Sequence, residues 1–269
     1  MKSSNVKIDS WWPKSPKPGN MGDIITPIIV KKLFNVDLKW ADYRNNKRRL
    51  LLSTGSIINK ADAANRIVWG SGAMRLSDEK KICNLAKFLA VRGPITLEML
   101  HSIGIPNCDT IALGDPGLLV SKFLTPHSVK KYEYGIIPHY VDYEQVKNAY
   151  RRFNNIKVIN VLHSNPLVPI KEITLCKKTI SSSLHGIIFS NAYEIPSSWV
   201  KFSDKLKGDD TKFLDYGKYC DVNATAIEAE FIKPDEFDRL PKIDLSNSKY
   251  HNPEKLINSF VKWMDKNEK

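Results

Sequence analysis

Apolar runs of four to six residues recur along the chain, each followed by a turn containing Gly, Ser or Asp and then usually by a segment with helical spacing. That alternation restricts the chain to an α/β fold. The runs are continuous rather than alternating in polarity, so the strands they predict are covered on both faces, as in parallel sheets. In the first half they are Val6 to Ile8, Leu50 to Ser53, Ile67 to Trp69, Phe88 to Val91 and Ile111 to Leu113. In the second half they are Tyr134 to Ile137, Val158 to Val161, Thr179 to Ser181 and Ser198 to Val200.

Helix signals interleave. Pro94 suits the first position of a helix over Ile95 to Ile103, with Gly104 as terminator. Asp142 and Gln145 read as a capping box before Val146 to Phe153, and Asn252-Pro253 opens a last helix with Leu256, Phe260, Trp263 and Met264 in one apolar, core-facing stripe. The polar, basic, proline-containing segment Ser121 to Lys131 predicts a linker. The boundary is placed there, giving an N-terminal Rossmann-like domain over 1–125 and a C-terminal one over 126–269 that includes the terminal helix. Two stacked α/β units leave a cleft between the carboxyl ends of their strands, where open-sheet proteins bind ligands.

With 269 residues and 42% hydrophobic content the chain can bury a large core. It has no apolar run as long as a bilayer span, and Met1 to Lys7 lacks the hydrophobic stretch of a secretory signal, so a cytoplasmic location is expected. Cys83, Cys108, Cys176 and Cys220 lie far apart with no C-x-x-C pairing, which fits neither a zinc site nor a disulfide framework. A formal charge of +12, from 41 basic and 29 acidic residues, predicts attraction to a phosphorylated metabolite, a lipid diphosphate, a membrane surface or nucleic acid. The basic residues are scattered, dense only near Asn45 to Arg49 and Lys201 to Lys207, and no nucleic-acid-reading module accompanies them, so nucleic acid is not expected.

The most pronounced chemical signal is Ile180-Ser181-Ser182-Ser183-Leu184-His185-Gly186, a strand, three hydroxyls and then a histidine at the start of an apolar helix. A helix start offers unpaired N–H groups and partial positive charge to a phosphate or carboxylate, and an imidazole there can move a proton. A Ser-rich cap before a core histidine is the plainer alternative. Six other junctions share the design. In Gly19-Asn20-Met21-Gly22-Asp23, Asp23 is a candidate base, a ligand for a sugar hydroxyl, or a simple cap. Ser53-Thr54-Gly55-Ser56 and Gly70-Ser71-Gly72 follow apolar strands, but neither continues as a dinucleotide fingerprint or a P-loop, and ligand-free tight turns fit them equally. Arg92, in Val91-Arg92-Gly93-Pro94, is either a two-pronged anion clamp or half of a structural ion pair. Gly114-Asp115-Pro116-Gly117 reads foremost as a turn, and His139 closes a strand as an isolated histidine. Asp209-Asp210 beside Gly208 reads as a solvated turn rather than a metal pair, and no metal or cofactor is expected.

Taken in order, the segments around Asn20 to Asp23, Leu52 to Ser56, Trp69 to Gly72, Val91 to Pro94, Gly114 to Pro116, Pro138 to Tyr140, Ser181 to Gly186 and Ile195 to Tyr216 resemble the polysaccharide pyruvyl transferase family over roughly residues 19 to 217. The resemblance implies a fold similar to the two-Rossmann-domain, GT-B type glycosyltransferases, with the first domain on the acceptor side and the second on the donor side. It also implies a phosphoenolpyruvate donor and a pyruvate ketal formed on a glycan or lipid-linked sugar, with peripheral contact at the inner face of the cell membrane. Members often carry an arginine two places before the motif histidine, where this chain has Ser183. In the family that arginine and histidine are associated with the donor, a role carried over here to His185 alone, with Arg92 inferred as the replacement cation. His185, Arg92 and Asp23 are thus the expected catalytic residues. Asn20, Gly22, Gly55, Ser56, Gly72, His139, Ser182, Ser183, Leu184 and Gly186 are expected to bind substrate. A nucleotide-sugar glycosyltransferase of the same architecture and a non-catalytic carbohydrate-binding protein stay open as alternatives.

Overall fold

The computed structural model describes residues 7–44, 47–206 and 208–266, so Val6, Asn45, Asn46 and Lys207 of the segments above lie outside the described residues. The chain forms two sheets whose strands all run parallel, one from each half. In the first half these are β1 (Lys7–Trp11), β2 (Asp37–Trp40), β3 (Leu50–Leu52), β4 (Arg66–Ser71), β5 (Lys87–Val91) and β6 (Ala112–Leu113), in the spatial order β2-β1-β3-β4-β5-β6. The second half supplies β7 (Tyr132–Ile137), β8 (Ile156–Val158), β9 (Cys176–Ser181), β10 (Ser197–Lys201) and β11 (Ile227–Glu228), in the order β8-β7-β9-β10-β11. Both sheets therefore wind the same way. The direction reverses between β1 and β3 and again between β7 and β9, the doubly wound order of flavodoxin-like sheets rather than the 3-2-1-4-5-6 of dinucleotide-binding ones.

The central strands follow from their sequences. All three residues of β3 and all six of β4 are buried, as a strand covered on both faces requires. By contrast β2 alternates between half-buried and exposed positions and β11 has two residues, so these edge strands carry no continuous apolar run. The run Val158 to Val161 is shifted: pairing covers Ile156–Val158, while Ile159 and Val161 drop into the core beyond it.

Among the described residues eight α-helices connect or cover the sheets: α1 (Met21–Ile24), α2 (Thr26–Phe34), α3 (Pro94–Ser102), α4 (Tyr143–Tyr150), α5 (Leu167–Ile173), α6 (Leu184–Asn191), α7 (Thr211–Tyr219) and α8 (Pro253–Asp265). Pro94 opens α3, and Gly104, at φ +76°, follows its end in the left-handed conformation that favours glycine. The capping box before α4 does not form. Asp142 instead accepts a 2.6 Å hydrogen bond from the Ser203 hydroxyl, tying α4 to the loop after β10.

The last helix returns to the first sheet. Leu256, Phe260 and Trp263 of α8 are buried, the Trp69 indole N–H donates to the Leu256 carbonyl at 3.0 Å, and Phe260 packs on the rings of Trp69 and Phe34 at 4.7 Å each. Each aromatic pair adds about 0.5–1.5 kcal/mol beyond its buried area. Among the described residues no helix is long and apolar enough to cross a membrane.

Candidate active site

In a doubly wound sheet the helices on either side of the reversal point diverge, opening a crevice at the carboxyl ends of the strands. Here the two reversal points face each other. Ser56 follows β3, His139 to Val141 follow β7, and Ser183 to His185 follow β9, and these loops meet Pro13, Ser15, Pro16, Asn20 and Asp23 around a cleft of about 250 Å³ completed by Met74, Lys205 and Lys212. The halves are stitched beside it: the Met21 N–H donates to the Val161 carbonyl at 2.8 Å, the His163 N–H to Gly19 at 3.0 Å, and Asn20 bridges to Leu162.

The triple serine is divided by role. Ser181 Oγ accepts the Ser183 N–H at 3.0 Å and lies 2.8 Å from the Ile137 carbonyl. Ser182 Oγ accepts the His139 N–H at 2.8 Å, fixing the loop after β7 to the loop after β9. Ser183 makes no side-chain cap to α6 and lines the cleft.

In the first turn of α6, His185 is 7% exposed and stacked on Phe189, with ring centroids 5.7 Å apart. Its Nε2 is closed off from solvent and stands 3.7 Å from Oδ2 of Asp115, which is fully buried. Neither atom has a hydrogen-bond partner among the described residues. Oδ1 of Asp115 is held by the Gly117 N–H at 2.8 Å. Gly22 packs against the other side of the imidazole, where a Cβ would overlap Cγ and Nδ1. Sequence reading passed over Asp115 as a turn residue. The available signal was its place at the end of β6, directly before Pro116.

Charge is unevenly balanced in the cleft. Burial raises the pKa of Asp23, opposed by His185 and Lys212 and reinforced by Asp115. Burial, with Lys212 adding to it, pushes His139 down to about 4. Lys212 is lowered to about 8 by burial and by Arg92, against the pull of Asp23 and Asp210.

Arg92 is a correction. It is fully buried and does not line the cleft. Its Nε donates to Asp215 Oδ2 at 3.1 Å, NH2 lies 3.0 Å from the same oxygen and 2.7 Å from the Ala73 carbonyl, and NH1 donates to Ser56 Oγ at 2.8 Å. Asp215 also accepts the Thr96 N–H at 2.9 Å and its hydroxyl at 2.7 Å. The guanidinium is one half of a buried ion pair and reaches the cleft only by holding Ser56.

Of the residues expected at the site, the fold brings Asp23, Asn20, Ser56, His139, Ser183, Leu184 and His185 to the cleft wall. Gly22, Gly55, Gly72, Ser182 and Gly186 stand one layer behind. Gly72 packs under Arg92, Gly186 against Ser181, and the Gly55 carbonyl accepts Ser71 Oγ at 2.9 Å. Asp209 caps α7 through Thr211, and Asp210 pairs with Lys201 at 2.5 Å. A wider groove of about 690 Å³, lined by Gln145, Ser203, Asp204, Glu228 and Glu230 among others, adjoins the cleft and shares Lys205 with it.

Comparison with known proteins adds three findings. An uncharacterized protein of Acanthamoeba polyphaga mimivirus is 33% identical over 249 residues, covering 85% of this chain and 83% of its own. No solved structure matches. A family model described as polysaccharide pyruvyl transferase matches residues 29–204, well over half of the chain and inclusive of Ser56, His139 and His185. On that match the chain belongs to the polysaccharide pyruvyl transferase family.

Proposed function

We propose that the chain transfers a pyruvyl unit from phosphoenolpyruvate to a sugar of a polysaccharide or its lipid-linked precursor, closing a cyclic ketal, and that its two sheets take the GT-B-like arrangement. Family membership supports pyruvyl transfer onto polysaccharide. The single observation that carries the finer reading is an imidazole on the cleft wall, backed by a buried carboxylate, where the reversal points of two parallel sheets meet.

Because Nε2 of His185 is closed off toward Asp115, proton exchange with a molecule in the cleft goes through Nδ1. The imidazolium gives that proton to the methylene carbon of the enol, which becomes a methyl group and leaves C2 electron-poor. A sugar hydroxyl adds at C2 as its proton passes to Asp23, whose affinity for protons is raised by burial. The C2–O bond to phosphate breaks with its electron pair on the phosphate. A second hydroxyl closes the ring, its proton restores His185, and the proton on Asp23 departs with the phosphate. Ser183 and the first N–H groups of α6 offer hydrogen bonds to the donor's anionic oxygens. The wider groove sharing Lys205 gives room for the acceptor chain, with Asp23 on the acceptor side.

The test is incubation with phosphoenolpyruvate and a panel of lipid-linked or nitrophenyl sugars. Phosphate release matched by a pyruvate-sized gain in product mass is expected. A hexose-sized gain with a nucleotide sugar, or no turnover with any donor, overturns the reading.

A further inference from the structure

We infer that Lys212 is the anion anchor of this cleft, its ammonium group binding the phosphoryl oxygens of the donor, and that the residue is kept for this purpose at the expense of stability. Only the identity of the donor rests on the function proposed above.

Three observations converge on Lys212. It lines the same cleft as His185, Asp23 and Ser183, yet makes no hydrogen bond or ion pair with any described residue; its Nζ lies 5.2 Å from the centroid of the Phe213 ring. Lys212 is half-buried, and an ammonium partly withdrawn from water with its donors unmet is unfavourable. Its position worsens this, because Lys212 lies in the first turn of α7, where the helix dipole repels a cation. Of the other cations nearby, Arg92 is fully engaged by Asp215, Ala73 and Ser56 and only adds repulsion, while Lys205 on the same cleft wall is exposed to solvent.

The charged and titratable groups facing Lys212 come from every side of the cleft. Asp23 and Asp210 attract the ammonium, Arg92 repels it, and His139 is itself held neutral partly by Lys212. Neither carboxylate closes to ion-pair distance among the described residues. A dianionic phosphoryl group beside Ser183 would meet the ammonium, the hydroxyl and the α6 N–H groups together, supplying the partner the protein omits.

The test compares wild type, Lys212→Met and Lys212→Arg by thermal unfolding at pH 7, alone and with inorganic phosphate or phosphoenolpyruvate. Both anions should raise the wild-type midpoint. Lys212→Met should bind them roughly 10- to 100-fold more weakly, the effect of losing one charge-assisted hydrogen-bonding group, while Lys212→Arg stays within about 10-fold of wild type. Without ligand, Lys212→Met should melt higher than wild type. A lower ligand-free midpoint would mark the lysine as structural and overturn the inference. So would undiminished anion binding by Lys212→Met, or failure of both anions to protect wild type. Phosphate protection that depends on Lys212, with no pyruvyl transfer to any acceptor, removes the proposed function and leaves the anchor standing.

Discussion

Nε2 of His185 and Oδ2 of Asp115 stand 3.7 Å apart in a closed space, and among the described residues each lacks a hydrogen-bond partner. A carboxylate in that position orients the imidazole and stabilises its protonated form during turnover. Asp115→Asn preserves the acceptor at Oδ1 for Gly117 and presents an amide to Nε2. Turnover is expected to fall by about 10²- to 10⁴-fold with a folded protein by circular dichroism, and His185→Ala to fall at least as far.

Gly22 has no room for a side chain, since a Cβ would overlap the His185 ring. Gly22→Ala must therefore displace the imidazole by about an ångström. The expected result is a loss of roughly 10²-fold in kcat, with near-native secondary structure, measured by steady-state phosphate release.

Arg92 and Asp215 are both fully inaccessible. Arg92→Met leaves a buried carboxylate without its counter-charge, and urea unfolding should show a loss of about 3–5 kcal/mol. A loss below about 1 kcal/mol would return Arg92 to candidacy as a ligand-binding group.

For His139 the folded pKa of about 4 lies below the ordinary 6.5. Between those values the unfolded chain takes up a proton that the folded protein refuses, so this group lowers stability as pH falls through that window and has no such effect above it. The slope is at most about 1.4 kcal/mol per pH unit, and less because the ring is partly solvated. His139→Gln should show a smaller drop in urea midpoint than wild type between pH 6.5 and 4.

What sequence revealed was what is decided locally. Leu50–Leu52 and Ile67 to Trp69 were legible as strand because burial on both faces leaves a continuous apolar run; β4 extends beyond it to Arg66, whose guanidinium NH2 is satisfied by the Tyr43 carbonyl at 2.5 Å, and to Ser71. The segment Ser181 to His185 was legible because strand, hydroxyls and helix start adjoin in the chain. Arg92 was ambiguous because a clamp and an ion pair have the same local appearance, and its partner Asp215 lies 123 residues away. Asp115 gave little warning, since its significance comes from a cleft that only the packing of two sheets creates. The edge strands β2 and β11 escaped because half-exposed strands need few apolar residues.

The return of α8 to the first sheet affects how the protein is made. Trp69 and Phe34 receive their Phe260 neighbour and the Leu256 carbonyl only when α8, far downstream, has been synthesised. A ribosome that has delivered the whole first half has not yet delivered a finished hydrophobic interior, so the N-terminal sheet cannot mature on its own during translation. Deletion of Pro253–Asp265 should accordingly be as damaging to accumulation of the protein in cells as deletion of an internal strand.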